Sequence, residues 1–220
     1  MINSISLIFL SYLLGSIPFG FIITYLSTGK NILEIGWKKT SGSNVFKNVG
    51  LWQGFLTGIL DVGKGFLAVK LAKYFNFSIQ TQIFCGIAAV FGHNWSIFLK
   101  FAGGRGIGTF IGAFSLLSPK ILGLALIPFL VMGIIWNLSI GTIFFLGTII
   151  FLAHCSKQPQ IEKFVLISLI PIFLKRLSPI EEIKKSSRKK DLIINRLIFD
   201  RNSPSFELRI KKIINRLTKR

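Results

Sequence analysis

Glycines surround a single arginine at the end of an apolar stretch of this sequence. The stretch FGHNWSIFLKFAGGRGIGT, residues 91–109, contains His93, Gly103, Gly104, Arg105 and Gly106. Glycines let backbone N–H groups approach an anion closely, and a guanidinium offers a forked set of donors that suits phosphate. A helix beginning near Thr109 would add the positive end of its dipole. The pattern predicts a phosphate-binding loop, and a flexible turn between two helices is the alternative.

A second polar and basic segment, residues 27–50, offers groups of the same kind. Its hydroxyl, amide and ammonium groups belong to Ser41, Ser43, Asn44 and Lys47. Two such loops at one membrane face would form a site for a small polyanion. Apolar helices behind them would suit an acyl chain.

Three titratable residues lie within apolar stretches. Asp61 and Lys64 are three residues apart, so on a helix they share a face and can pair. Ionisable groups inside a membrane are costly and usually face the protein interior or a wet cavity. Lys64 is therefore either half of a structural ion pair or a direct contact to substrate. His93 is either a general base or a hydrogen-bonded packing residue.

The elements that must position these residues are membrane helices. The 220 residues are 51% hydrophobic and include 22 Phe, with a mean hydropathy of +0.62, which exceeds what a soluble core of this size can bury. We predict an all-α, polytopic integral membrane protein with about seven transmembrane helices. The predicted spans are 4–26, 51–75, 79–99, 109–118 (short and tilted or partly inserted), 121–136, 138–155 and 161–174. Neither Cys85 nor Cys155 has the spacing of a metal site or a disulfide framework, and no metal is expected.

The positive charge is concentrated at the C-terminus. The net charge is +19, and residues 175–220 hold 15 basic and 5 acidic residues. We expect a transmembrane domain over residues 1–176 and a basic tail over 177–220, partly helical and drawn to an anionic lipid leaflet. A solvated tail without a partner is the main alternative, and no nucleic-acid partner is expected.

Loop charges predict the orientation in the membrane. Cytoplasmic loops collect Lys and Arg. With seven spans and the N-terminus outside, the inner face receives the tail and the larger share of the loop cations, namely Lys30, Lys38, Lys39, Lys47, Lys100 and Arg105. We therefore expect a cytoplasmic C-terminus.

Four segments of the sequence resemble a known family. They are SYLLGSIPFG (11–20), LDVGKG (60–65), GHNWSIFLKFAGGRGIGT (92–109) and WNLSIGT (136–142). They are similar, in order and spacing, to motifs of the bacterial integral-membrane acyltransferases that move an acyl group from acyl phosphate to glycerol 3-phosphate. The resemblance implies a seven-helix enzyme of the bacterial inner membrane that needs no cofactor and makes lysophosphatidic acid for phospholipid synthesis.

The resemblance also implies site residues. Catalytic roles fall on Arg105, Lys47, His93 and Lys64, with Asp61 as a charge partner. Phosphate binding falls on Gly103, Gly104, Gly106, Asn44 and Arg196, and on the loop hydroxyls of Ser41 and Ser43, either of which matches the family serine only in a shifted alignment. The acceptor hydroxyl would attack the acyl carbonyl while cations stabilise the departing phosphate, and no protein nucleophile is required.

The sequence departs from the family pattern at several positions. Trp37 takes the place of a serine in the first loop, and the two lysines of the glycine loop become Ala102 and Arg105. In a third motif, INRLIFDR (194–201), only Arg196 matches, because the histidine and asparagine positions fall on Lys190 and Ile193. A second hypothesis is therefore a catalytically silent or acceptor-altered homologue that binds lipid or lipid-synthesis partners through its tail.

Overall fold

Helices make up the regular structure of the computed structural model, which describes residues 3–202. In chain order they are α1 (Ser4–Ser16), α2 (Phe19–Thr28), α3 (Gly42–Asn48), α4 (Leu51–Tyr74), α5 (Ile79–Asn94), α6 (Ile107–Leu117), α7 (Pro119–Ile135), α8 (Leu138–Cys155), α9 (Pro159–Arg176), α10 (Ile180–Lys185) and α11 (Lys189–Phe199). Two single 3-10 turns, Ile32–Glu34 and Ile97–Leu99, lie in loops. No strand occurs within residues 3–202, so the all-α fold class is confirmed.

Every predicted span coincides with a helix or a broken helix. Three segments are long and apolar enough to cross a membrane by length and composition, namely Ser4–Thr28, Ile79–Leu99 and Leu138–Cys155. The helices Ile107–Leu117 and Pro119–Ile135 are apolar but shorter. Helix α4 is 24 residues long and carries four charged residues within its sequence.

The first span, predicted as one helix over residues 4–26, is broken in the structure. Helix α1 ends at Ser16 and α2 begins at Phe19, with Pro18 between them. Proline has no N–H to continue the helical ladder, so the helix is interrupted there. At the break the Ile17 carbonyl accepts from the Phe19 N–H over 3.1 Å and from Lys64 Nζ over 3.0 Å. The break thus connects the first span to the charged residues of α4.

Small residues let the site-bearing helices pack closely. Helices α4 and α6 make the most extensive contact in the bundle. A Cβ at Gly65 would overlap the Thr109 carbonyl, and one at Gly112 would overlap the Val62 carbonyl. Small residues at helix interfaces allow this close backbone approach in membranes. Beneath the contact lie four fully buried phenylalanines, Phe110, Phe114, Phe145 and Phe164.

Large apolar side chains cover much of the outer surface of the bundle. More than half of the side-chain surface is exposed at Phe9, Trp52, Ile127, Ile134 and Phe151. Such a surface suits hydrocarbon and is rare on a soluble monomer. It agrees with the placement of these helices in a membrane.

The segment after α9 folds back on the bundle, where α11 contacts α8 and α9. Its anchor is the buried Arg196, whose guanidinium donates to the carbonyls of Leu177 and Pro179, both over 2.9 Å, and pairs with Glu182. The division at residues 176 and 177 remains a prediction. The part of the predicted basic tail from residue 203 onward lies outside the described residues.

Candidate active site

A cavity of about 920 Å³ lies where the first loop and the glycine loop meet the helices. Its polar lining includes most of the predicted site residues, namely Ser41, Ser43, Lys47, Asp61, His93, Arg105 and Gly106. Much of the remaining lining is apolar and comes from four helices, with Phe55, Ile59, Ile111, Phe129 and Ile172. The cavity therefore joins a charged region to an apolar one.

Asn44 gives the first loop its shape. Its Nδ2 donates to the carbonyls of Ile35, over 3.1 Å, and Lys39, over 2.8 Å. Its Oδ1 accepts from the Trp37 N–H, over 3.0 Å, and from Asn48 Nδ2, over 2.9 Å. The side chain is fully buried, so its amide is occupied in holding residues 35–48 together.

The Trp37 ring joins the two loops. Lys47 Nζ lies 5.4 Å from the ring centroid, and the Arg105 guanidinium carbon lies 5.3 Å from it. Cations are attracted to an aromatic face at this range. The structure therefore places the cations of both loops around one side chain. The hydroxyls of Ser41 and Ser43 line the same cavity, 3.4 Å apart.

The glycine loop packs tightly on the end of α5. The Gly104 N–H donates to the His93 carbonyl over 3.0 Å. A Cβ at Gly104 would overlap His93 Nε2, and one at Gly103 would overlap the backbone carbonyls of His93 and Asn94. Glycine is required at both positions because backbone or a buried ring fills the space.

Gly106 connects this loop to α6. Its φ of +78° is the left-handed region that glycine tolerates best. Helix α6 begins directly after it at Ile107, two residues before the predicted start at Thr109. Ile107 and Gly108 line the large cavity beside Arg105. The N–H groups of a first helical turn have no partner within the helix, so they favour an anion there.

The charged residues of α4 and α5 form a buried cluster. Lys64 Nζ lies 3.0 Å from Asp61 Oδ1, and His93 Nδ1 lies 3.3 Å from the same oxygen. Asp61 and His93 line the large cavity. The Lys64 ammonium is buried against Asp61 and the Ile17 carbonyl, so it holds Asp61 in place from behind.

An acidic residue of the C-terminal segment also reaches the site. Asp200 is buried and forms an ion pair with Arg105, and its Oδ1 lies 3.8 Å from Lys39 Nζ. Burial lowers the Lys39 pKa to about 8, although the nearby Asp200 carboxylate opposes that shift. Burial also lowers the pKa of the Arg105 guanidinium, and Asp200 again acts in the opposite direction.

A smaller, strongly basic cavity of about 470 Å³ adjoins the first. The two cavities share Trp37, Arg105, Arg176 and Asp200. The smaller one is also lined by Lys38, Lys39, Lys175, Arg196 and Arg201. Arg196, predicted to bind phosphate, thus lies at the second cavity, where most of its donors already have partners.

Sequence reasoning missed two residues of the site. Trp37 counted only as the loss of a serine, and Asp200 was not considered. Asp200 follows Arg196 by four residues, a spacing that in a continuous helix would put both on one face. That spacing was the available signal. Within residues 3–202 no group of three His, Cys, Asp or Glu side chains is arranged to hold a metal ion.

Comparison with known proteins identifies the family. A family model described as glycerol-3-phosphate acyltransferase matches residues 5–186. A glycerol-3-phosphate acyltransferase of Prochlorococcus marinus (strain MIT 9515) is 36% identical over 198 residues, covering 88% of this chain and 100% of the relative. Another, glycerol-3-phosphate acyltransferase 1 of Dehalococcoides mccartyi (strain ATCC BAA-2266 / KCTC 15142 / 195), is 35% identical over 167 residues, covering 73% of this chain and 80% of the relative.

The fold is similar to that of a solved membrane enzyme. The crystal structure of PlsY, an integral membrane glycerol 3-phosphate acyltransferase in its glycerol 3-phosphate form, superposes with a TM-score of 0.74 at 25% identity. The match covers 82% of this chain and 92% of that chain. The lysophosphatidic acid form of the same enzyme gives a TM-score of 0.71. This chain belongs to the glycerol-3-phosphate acyltransferase family.

Proposed function

We propose that this protein transfers a fatty acyl group from acyl phosphate to glycerol 3-phosphate and so makes lysophosphatidic acid. Its relatives are named for acyl transfer to glycerol 3-phosphate, and the two similar PlsY structures are the glycerol 3-phosphate form and the lysophosphatidic acid form. The observation that carries the proposal is the convergence of Lys47 and Arg105 on Trp37, beside a cavity of about 920 Å³.

The large cavity suits an acyl phosphate. Its phosphate group is anionic, and Arg105, Lys47 and the N–H groups at the start of α6 supply positive charge and donors. The acyl chain is apolar, and the side chains of Phe55, Ile59 and Phe129 offer it an apolar surface. The hydroxyls of Ser41 and Ser43 line the same cavity, and in this proposal they donate to phosphate oxygens.

The reaction needs positioning and charge stabilisation. The acceptor hydroxyl oxygen attacks the acyl carbonyl carbon, the bond from that carbon to the bridging phosphate oxygen breaks, and the hydroxyl proton leaves with the released phosphate. Arg105 and Lys47 stabilise the charge that develops on the departing phosphate. Because phosphate is a good leaving group, holding the two substrates together supplies much of the rate.

The buried cluster of α4 and α5 supports the glycine loop in this proposal. His93 meets Gly104 through both its carbonyl and its ring, so the imidazole position fixes the position of Arg105. Asp61 orients the imidazole, and Lys64 balances the Asp61 charge. Lys64 acts as a positioning residue, because its ammonium lies behind Asp61 and is buried.

An assay of the purified protein tests the proposal. The protein in detergent should convert acyl phosphate and glycerol 3-phosphate into lysophosphatidic acid and phosphate. Arg105→Ala and Lys47→Ala should each lower kcat/KM by about 100-fold, while Arg105→Lys keeps the charge and retains more activity. Thermal unfolding shows whether each variant is folded.

The same assay separates this proposal from the silent-homologue hypothesis. Folded protein without turnover on any glycerol-phosphate-like acceptor would support that hypothesis and refute ours. Under the silent-homologue hypothesis the protein acts in the cell through its basic tail. Deleting residues 184–220 should then abolish that action, while Arg105→Ala leaves it intact.

We further infer that the N-terminus lies outside and the C-terminus in the cytoplasm. The distribution of lysines supports this orientation. Cys155 is exposed at the end of α8, on the side predicted to be external, whereas Cys85 is buried. A membrane-impermeant maleimide should therefore label Cys155 in spheroplasts. In a Cys155→Ser background, Lys38→Cys should be labelled only after lysis, and the reverse pattern would overturn the orientation.

A further inference from the structure

Asp200 places a carboxylate among the cations of the candidate site. It pairs with Arg105, and it lies 3.8 Å from the Lys39 ammonium. It lines both cavities and is buried, with 7% of its surface exposed. No other acidic residue within residues 3–202 forms an ion pair with either cation.

The backbone conformation at this position does not require a carboxylate. Asp200 is the C-cap of α11, with a φ of 54°, and its N–H donates to the Arg196 carbonyl over 3.0 Å. Glycine and asparagine are the residues that adopt this left-handed cap most readily. The backbone therefore constrains the conformation of residue 200, and its negative charge serves the contact with Arg105.

A carboxylate and a phosphate compete for the same donors. Both bind a guanidinium through paired N–H groups. A buried cation that is already paired with one anion is stabilised less by a second one. A phosphate that binds Arg105 must therefore displace the Asp200 carboxylate or share the guanidinium with it.

We propose that Asp200 is an internal competitor of the substrate phosphate, and that it weakens the binding of phosphate-bearing substrates at Arg105. This inference rests on the proposed function for its kinetic consequence. Its binding consequence, weak affinity for a phosphate group, applies whether or not the protein turns over.

Two substitutions remove the charge and keep the cap. Asp200→Asn and Asp200→Gly both suit the left-handed conformation. The matched control is Asp191→Asn, which removes one carboxylate from an exposed position on the same helix. Both Asp200 variants should lower KM for glycerol 3-phosphate or acyl phosphate by about three- to tenfold, as expected for the loss of one nearby like charge, and the control should leave both values unchanged.

Binding of inorganic phosphate gives a readout that does not depend on turnover. Titration of the purified full chain with phosphate, followed by its thermal unfolding, should give a lower apparent Kd for both Asp200 variants than for the native chain and Asp191→Asn. If the native chain shows no turnover but this difference appears, the proposed function fails and the competition stands. Unchanged or weaker phosphate binding in both variants, each shown to be folded, would overturn the inference. Asp200 would then serve only to anchor the C-terminal segment.

Discussion

Replacing Gly104 with alanine tests how the glycine loop positions Arg105. The added Cβ would overlap Nε2 of the His93 ring. That ring has little freedom, because the side chain is buried and Nδ1 lies 3.3 Å from Asp61. The loop has little freedom either, because the Gly104 N–H donates to the His93 carbonyl over 3.0 Å. Relief therefore requires either loss of the His93 contact to Asp61 or displacement of the loop, and displacement of the loop moves Arg105.

The size of the effect follows from this geometry. Forcing an extra methyl group into a packed site costs about 1–3 kcal/mol of stability. A shift of about 1 Å in a group that positions substrate lowers the rate by about 100-fold. We therefore expect Gly104→Ala to remain folded with a lower unfolding temperature, and to lose about 10- to 100-fold in kcat/KM.

The assay compares this variant with the same substitution at a glycine that has open space around it. Gly147 lies on the exposed face of α8, and nothing lies within 4 Å of the Cβ it would gain. Gly147→Ala should keep full activity and equal or slightly higher stability, since alanine favours the helix. Initial rates with both substrates and thermal unfolding in the same detergent make the comparison. Native activity and stability in Gly104→Ala would refute the positioning role of the glycine loop.

Three further predictions concern the loop and the buried cluster. Because the Lys39 pKa of about 8 lies below the ordinary 10.5, the unfolded chain binds more protons between these pH values, and stability should rise with pH across that window. Lys39→Met should make this rise in unfolding temperature shallower, and an equal slope in both proteins would contradict it. Asn44→Asp loses two donors to loop carbonyls, so it should destabilise by about 2–4 kcal/mol and reduce turnover; native thermal stability would argue against that role. Asp61→Asn leaves the buried Lys64 ammonium without its carboxylate, which should cost about 3–5 kcal/mol in unfolding measurements. Lys64→Met in the same chain should recover part of that loss, and a loss that simply adds would exclude their coupling.

The sequence predicted the helices well because their signal is strong. An apolar run of about 20 residues has few alternatives to a membrane helix, since every backbone polar group must be satisfied within the segment. The break at Pro18 was missed because the residues on both sides are apolar, and hydropathy is insensitive to the backbone. Its functional link, the Lys64 bond to the Ile17 carbonyl, joins residues 47 positions apart. Local pattern contains no information on such a contact.

The candidate site was predicted in part for a related reason. The charge pattern placed the loops of Lys47 and Arg105 on one membrane face, and in the structure both contact Trp37. The uses of individual polar groups could not be predicted from residue type. An asparagine in a polar loop can bind a ligand or hold its own loop together. The hydrogen bonds of the buried Asn44 amide to its own loop show which of these two uses applies here. Asp200 was missed because the tail was considered only as a region of positive charge.

Trp37 offers a physical reason why loss of the family serine is compatible with a working site. A serine hydroxyl would donate one hydrogen bond to a phosphate. The indole ring instead lies within 5.5 Å of two cations from different loops, and each such contact contributes about 0.5–2 kcal/mol. Long cationic side chains lose conformational freedom when they bind an anion, and contact with the ring restricts Lys47 and Arg105 before the phosphate arrives. Part of the ordering that phosphate binding would require is therefore already present in the folded protein, and the lost hydrogen bond is offset by two prepositioned charges.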